Sequence, residues 1–389
     1  MGNHNKKYVI PCVITAVCHL TIIPNLILSY CFLTVSNLVK PDSFCIFATM
    51  IHFLKVCFFM LTSLCLVHCS GKKKNEATQT QPVKGKDQLL SELNKKLVDD
   101  PNNASLYHDR CLYFFNKGIY DKAMDDITRA LSLDSLNTEY LYTKGDIYFS
   151  VMRFDDATAA FAKVLRQEHG HPRANLKMAR ILLHLKQYKE AIQHIDLALK
   201  TDVNLAEGYF LKGIAFQYMG DSVNAASSFQ TAVEQKADYF DAYVTLGLLY
   251  ATRRDSMAVE YYNSALSLRP NSPEALYNLA IYYQDNGKPL KAFSIYNQLT
   301  ALGPNEGAHH NKGYIYLVYL GQYDKAIPQF DSALRINPNY VEAYHNRGLA
   351  YRELKKYKEA RADFKAALKL NPQFELSANE LDDMDRKHQ

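Results

Sequence analysis

"GLAYRELKKYKEARADFKAALKLNP", residues 348–372, opens on Gly348 and places Ala360 twelve positions later in a stretch otherwise rich in large side chains. Stepping back from Ala360 in steps of 34, with a single step of 33, lands on Ala326, Ala292, Ala258, Ala225, Ala191, Ala157 and Ala123. One small residue thus heads the same local pattern eight times, and a period of this length marks a repeat array.

The neighbours of each alanine are constrained too. An aromatic or Ile follows at +4 (Ile127, Phe161, Ile195, Phe229, Tyr262, Tyr296, Phe330, Phe364), and usually Ala at +7, so one helix face carries all three positions. About twelve residues before each alanine stands a second small residue: Cys111, Gly145, Ala179, Gly213, Gly247, Ala280, Gly313 and Gly348. Tyr or Phe usually follows it at +3, which gives a first helix its own apolar stripe. Each repeat therefore reads as helix, turn, helix. Small residues on facing stripes let two helix axes approach at the short end of the roughly 8–10 Å range, while the aromatics fill the space beside them.

In the last repeat the pattern is Tyr344, Gly348, Tyr351, Ala360, Phe364, Ala367 and Pro372, which resembles the tetratricopeptide repeat. The resemblance covers about residues 104–374 and implies an all-α fold: a right-handed superhelical solenoid of helix-turn-helix repeats with capping helices. The closing proline is present as Pro101, Pro270, Pro304, Pro338 and Pro372, whereas Ser135, His169, Val203 and Ala237 replace it in the earlier repeats. Residues 87–98 read as an N-terminal cap helix and 375–389 as a C-terminal one, so that 87–389 forms one continuous array.

The formal net charge is +5. Setting aside Lys6, Lys7, Lys40, Lys55 and Asp42 in the first 69 residues leaves 41 basic and 39 acidic residues, a net of +2, which argues against a nucleic-acid partner. The dense basic run Lys72-Lys73-Lys74 lies outside the repeats. Seven of the eight cysteines also precede the array, leaving Cys111 in a glycine's place as a small buried hydrophobe. No zinc-type CxxC pairs, HExxH, GxSxG or phosphate-loop glycine pattern occurs, so neither an enzyme nor a cofactor is expected.

Residues 50–69, "MIHFLKVCFFMLTSLCLVHC", begin with a possible start methionine and run through largely apolar positions from Val56 to Val67, a length that suits a signal-peptide core. Leu66-Val67-His68-Cys69 resembles a bacterial lipobox, which implies lipidation of Cys69; His68 departs from the small residue that such a motif carries before its cysteine. On this reading residues 1–49 precede the true start, 70–86 form a flexible tether, and the array faces the periplasm. The competing reading makes residues 8–36 and 43–68 two membrane spans with a cytoplasmic array. Lys55 would then cost about 2.5–3.5 kcal/mol near mid-span. Both readings anchor the array at a membrane, in a bacterial cell envelope.

In the family resembled, the positions three before and one after the first small residue line an inner groove. Here they include Tyr142, Leu176, Phe210, Ile214, Val244, Leu248, Tyr277, Ile281, Tyr314 and Leu349, with His108, His310 and His345. Such a trough suits a protein or peptide ligand whose anchors enter successive repeats. The lysines and asparagines with which some relatives clamp chaperone carboxylates are absent from these places, so that partner is not implied. The expectation is a membrane-tethered scaffold. A metal site at the histidines lacks carboxylate or thiol company in the sequence.

Overall fold

The computed structural model describes residues 87–387. Among them the chain forms eighteen α-helices and no strand: α1 (Asp87–Asp99), α2 (Ala104–Asn116), α3 (Tyr120–Leu133), α4 (Thr138–Ser150), α5 (Phe154–Gln167), α6 (Pro172–His184), α7 (Tyr188–Thr201), α8 (Ala206–Tyr218), α9 (Ser222–Gln235), α10 (Phe240–Thr252), α11 (Met257–Leu268), α12 (Pro273–Asp285), α13 (Pro289–Leu302), α14 (Glu306–Tyr314), α15 (Tyr323–Ile336), α16 (Val341–Glu353), α17 (Tyr357–Leu370) and α18 (Glu375–Lys387). Repeats one to eight are the consecutive pairs from α2/α3 to α16/α17, and each helix packs on the next along the chain.

Every heading alanine and every +4 residue is fully buried. What the +4 residue touches explains the glycines. A Cβ built on Gly145, Gly213, Gly247, Gly313 or Gly348 would stand 2.5–2.7 Å from a ring atom of Phe161, Phe229, Tyr262, Phe330 or Phe364 respectively. In each case three consecutive ring atoms lie at nearly the same distance, so the vacant Cβ place is over the ring face. The second helix of these repeats thus lays an aromatic face on the bare backbone of the first. Where the first helix carries Cys111 or Ala179 the ring is exchanged for Ile127 or Ile195, which keeps the summed volume near constant. Repeat six alone combines Ala280 with a ring, Tyr296.

The turns between paired helices are equally uniform. One residue in each has positive φ: Gly118, Met152, Lys186, Gly220, Arg254, Gly287, Gly321 and Lys355. In seven of the eight turns the second amide after the first helix's capping position bonds back to a carbonyl five residues earlier, as in Ile119 N to Phe114 O at 2.9 Å and Lys356 N to Tyr351 O at 2.8 Å, the Schellman arrangement; in repeat seven Gln322 N reaches Tyr316 O, six residues back, at 2.9 Å. At the other end the second helices stop on extended residues whether or not proline follows: Asp202, before Val203, has φ −135° and ψ 100°, and Asn371, before Pro372, has φ −135° and ψ 96°. Proline enforces that conformation on its predecessor but is not needed for it.

Two repeats depart from the pattern by one residue. In repeat five Gly247 and Ala258 are eleven apart, and α11 has 12 residues where the other second helices have 14. In repeat seven Gly313 and Ala326 are thirteen apart. There α14 runs into a π-helical turn, Ile315–Tyr319, with Leu320 N bonding to Ile315 O at 3.1 Å. The widened turn absorbs the extra residue and leaves Gly313 over Phe330.

The ends are closed by α1 and α18. Leu93 and Leu97 of α1 are buried, and Arg110 of α2 donates to Asn94 at 2.8 Å while forking onto Asp126 at 2.7 and 2.8 Å. At the far end Met384 is buried, and α18 ties Ser377, Glu380 and Asp385 to His345, Arg352 and Arg361.

Two stability measurements check this account. Gly247→Ala should cost about 1–3 kcal/mol by overpacking, and adding Tyr262→Ile, which reproduces the Ala179/Ile195 pair, should recover most of it in a denaturant double-mutant cycle. Lys186→Gly, which relieves a side chain held at φ 61°, should raise stability by about 0.5–1 kcal/mol, whereas the same change at exposed helical Lys200 should lower it.

Candidate functional site

First helices of successive repeats lie side by side, α6 against α8, α10 against α12 and α14 against α16, so they share one continuous face. That face contains two kinds of position, and the expected groove residues divide between them.

The positions three before the small residue are core. Tyr142, Leu176, Val244, Tyr277, His310 and His345 are buried and Phe210 is half-buried. Tyr142 meets Phe161 of its own repeat at 5.6 Å and His171, which caps the next, at 5.8 Å. Phe210 meets Phe229 at 5.5 Å and Tyr239 at 5.0 Å, and His310 meets Phe330 at 5.7 Å and Tyr340 at 4.8 Å. Each fills the joint between repeats, so the expectation that they face an open trough is corrected. The reason is helical geometry: a spacing of three returns to the same face, so these residues share the glycine's packing stripe, and helix side chains lean toward the N-terminus and the entry to the next repeat.

The positions one after the small residue turn off that stripe. Leu248 is 40% exposed, and Ile214 and Ile281 are half-buried, one residue from each of repeats four, five and six. Tyr314 and Leu349, at the same place, are buried: Tyr314 lies 6.1 Å from Tyr319 of the π turn, and Leu349 joins the cluster closed by Met384. The accessible apolar row therefore contracts to Ile214, Leu248 and Ile281.

His310 is held as a neutral hydrogen-bonding group. His310 pairs through Nδ1 with Asn311 Oδ1 at 3.1 Å and through Nε2 with the Asn346 amide nitrogen at 2.9 Å, so Nδ1 carries the proton and Nε2 accepts. Asn311 in turn donates to Tyr296 Oη at 2.9 Å. Burial pushes His310 down to about 4, against the opposing pull of its bond to Asn311. Burial likewise pushes the Cys111 thiol up to about 12, which leaves it unreactive. Among the described residues no three His, Cys, Asp or Glu side chains gather closely enough to hold a metal ion, and no helix is long and apolar enough to cross a membrane. Cys69 and the proposed spans, tether and early start all lie outside the described residues.

Spacing did not reveal the charges on this face. Arg173, Lys177 and Arg180 of α6 pair with Glu139, Asp146 and Glu207 of the flanking first helices. Repeats five and six instead present Asp241, Glu274 and Asp285. Burial raises the proton affinity of Glu274 and Asp285; Asp241 adds to it at Glu274, while Arg269 and Arg254 oppose it at Glu274 and Asp285 respectively. Reading the charges helix by helix, rather than over the whole chain, would have exposed the contrast.

The stacked helix pairs define an all-α repeat scaffold. Tetratricopeptide repeat models match residues 153–209, 261–293 and 341–374, and a TPR repeat model matches 313–355. The chain carries tetratricopeptide repeats, and repeats of this class support a protein-interaction scaffold. Human tetratricopeptide repeat protein 13 is 25% identical over 171 residues, covering 42% of this chain and 20% of that protein. Mouse DnaJ homolog subfamily C member 3 is 26% identical over 176 residues, covering 41% and 35% respectively, so the match spans well under half of either relative. A solved tetratricopeptide repeat protein from Parabacteroides merdae covers 64% of this chain and 98% of its own at 16% identity, with a TM-score of 0.45.

The neutral His310 predicts a pH dependence with a definite sign. Because its folded value lies below the ordinary 6.5, the unfolded chain binds more protons between those values. The contribution is fully present above pH 6.5 and is lost as pH falls toward about 4, by up to roughly 3 kcal/mol. Urea melts from pH 7.5 downward should show a shallower loss in His310→Gln than in the parent, and parallel slopes would contradict the assignment.

Proposed function

We propose that the array is a membrane-tethered scaffold that binds a protein segment along the first-helix face, within a cell-envelope assembly, and that Cys69 carries the lipid anchor. The observation supporting the binding face is the row Ile214, Leu248 and Ile281, three aliphatic side chains one repeat apart that remain in part open to solvent. An elongated ligand gains apolar burial at each repeat it crosses, and the large adjoining side chains are locked in the joints, so the surface is preorganised. The tether rests on sequence alone: an apolar run that ends at Cys69 and a polar stretch before the array. Catalysis forms no part of this reading.

A photo-crosslinking side chain at position 248 of the full-length protein should capture a discrete protein partner in cells, whereas one at Val223, an exposed second-helix residue, should not. Fatty-acid labelling should vanish in Cys69→Ser. Equal capture from both positions would contradict the binding face, and labelling that survives Cys69→Ser would contradict the anchor.

A further inference from the structure

The ionic pairing between neighbouring first helices that runs from α4 to α8 is interrupted in α10 and α12. Three bases of α6 are each matched by a carboxylate across the seam, Arg180 to Glu207 at 2.8 Å and Arg173 and Lys177 to Glu139 and Asp146. In α10 and α12 the only charged side chains are Asp241, Glu274 and Asp285. None of the three forms an ion pair within 4.0 Å among the described residues.

These carboxylates sit where the apolar row is open. Asp241 precedes Leu248 by seven residues, and Glu274 precedes Ile281 by seven and Asp285 follows it by four, so acid and aliphatic share one helix face. Glu274 is half-buried, and burial penalises its ionised form, while Asp285 is exposed to solvent. The guanidinium nearest Glu274, Arg269, is already placed over the Phe240 ring at 4.0 Å. An aliphatic floor flanked by acids that lack an ion-pair partner selects for one kind of occupant.

We propose that repeats four to six bind a cationic amphipathic protein segment, with its aliphatic side chains on Ile214, Leu248 and Ile281 and its Lys or Arg side chains against Asp241, Glu274 and Asp285. This rests on the binding face argued above and adds the chemistry of the partner. A desolvated carboxylate without a counter-ion is costly, and an incoming cation removes that cost while fixing the register of the segment. A second copy of the chain would not supply the cations from α6, whose bases are already matched.

The test uses the full chain with two labelled synthetic helical peptides, one of Leu and Lys and one of Leu and Glu, followed by fluorescence anisotropy. The Leu/Lys peptide should bind, the Leu/Glu peptide should bind at least about tenfold more weakly, and added salt should narrow the gap. The triple variant Asp241→Asn, Glu274→Gln, Asp285→Asn should weaken the Leu/Lys peptide by about tenfold, with Leu248→Ser weakening it independently. Circular dichroism melts of each variant separate binding from folding, and the single variants replace the triple if it melts early. Loss in Leu248→Ser with no change on neutralising the acids would overturn the cationic partner and leave the binding face standing. No change in Leu248→Ser would overturn both, and failure of the Leu/Lys peptide to bind would overturn the cationic partner.

Discussion

An aromatic face resting on a glycine backbone is the contact on which the repeat is built. In five of the eight repeats a Phe or Tyr of the second helix occupies the space that any side chain on the first would need. This sets how closely the two helices approach, and a ring in so tight a fit buries its full area. Repeats one and three reach the same end by giving a methyl or thiol back to the first helix and taking Ile for the ring. In these two repeats the small position and its partner trade volume, while repeat six holds Ala280 and the Tyr296 ring together. The small position does not tolerate a large side chain.

Turn geometry carries this contact from one repeat to the next. A left-handed residue ends each first helix and an extended residue ends most second helices, so the backbone enters the next repeat at a reproducible angle. Four of the eight left-handed places are not glycine, which shows that packing overrides a local preference of about 1–2 kcal/mol. Repeat seven shows the same hierarchy. Its first helix holds one residue too many, and the helix widens into a π turn while Gly313 stays beneath the Phe330 ring.

The pairing of helices, the repeat count and the core alanines were legible in the sequence because they obey fixed spacings. The open surface was not. Placing Tyr142, Phe210 and Tyr277 on an open groove treats a step of three from the small residue as leaving its stripe, whereas on a helix that step stays on it. Ile214, Leu248 and Ile281 were found by the same rule because a step of one does leave the stripe. Tyr314 and Leu349 obey the rule yet are buried, since the π turn and the C-terminal helix cover them, and spacing within a repeat carries no information about either. The charges escaped for a different reason: a net of +2 over residues 70–389 averages a matched ladder with an unmatched acidic stretch.

Two layers follow from these contacts. Joints filled by large side chains make the first-helix face rigid, and the residues one step off the joints are left to specify what lies on it. The most direct measurement of the central contact is the Hα chemical shift of the glycines in selectively labelled protein. A proton held over a ring face is shielded, so Gly145, Gly213, Gly247, Gly313 and Gly348 should resonate well upfield of Gly118, Gly220 and Gly287, which have no heavy atom within 4 Å of the Cβ place. Overlapping shifts for the two sets would contradict the ring-on-backbone contact and the fold argument built on it.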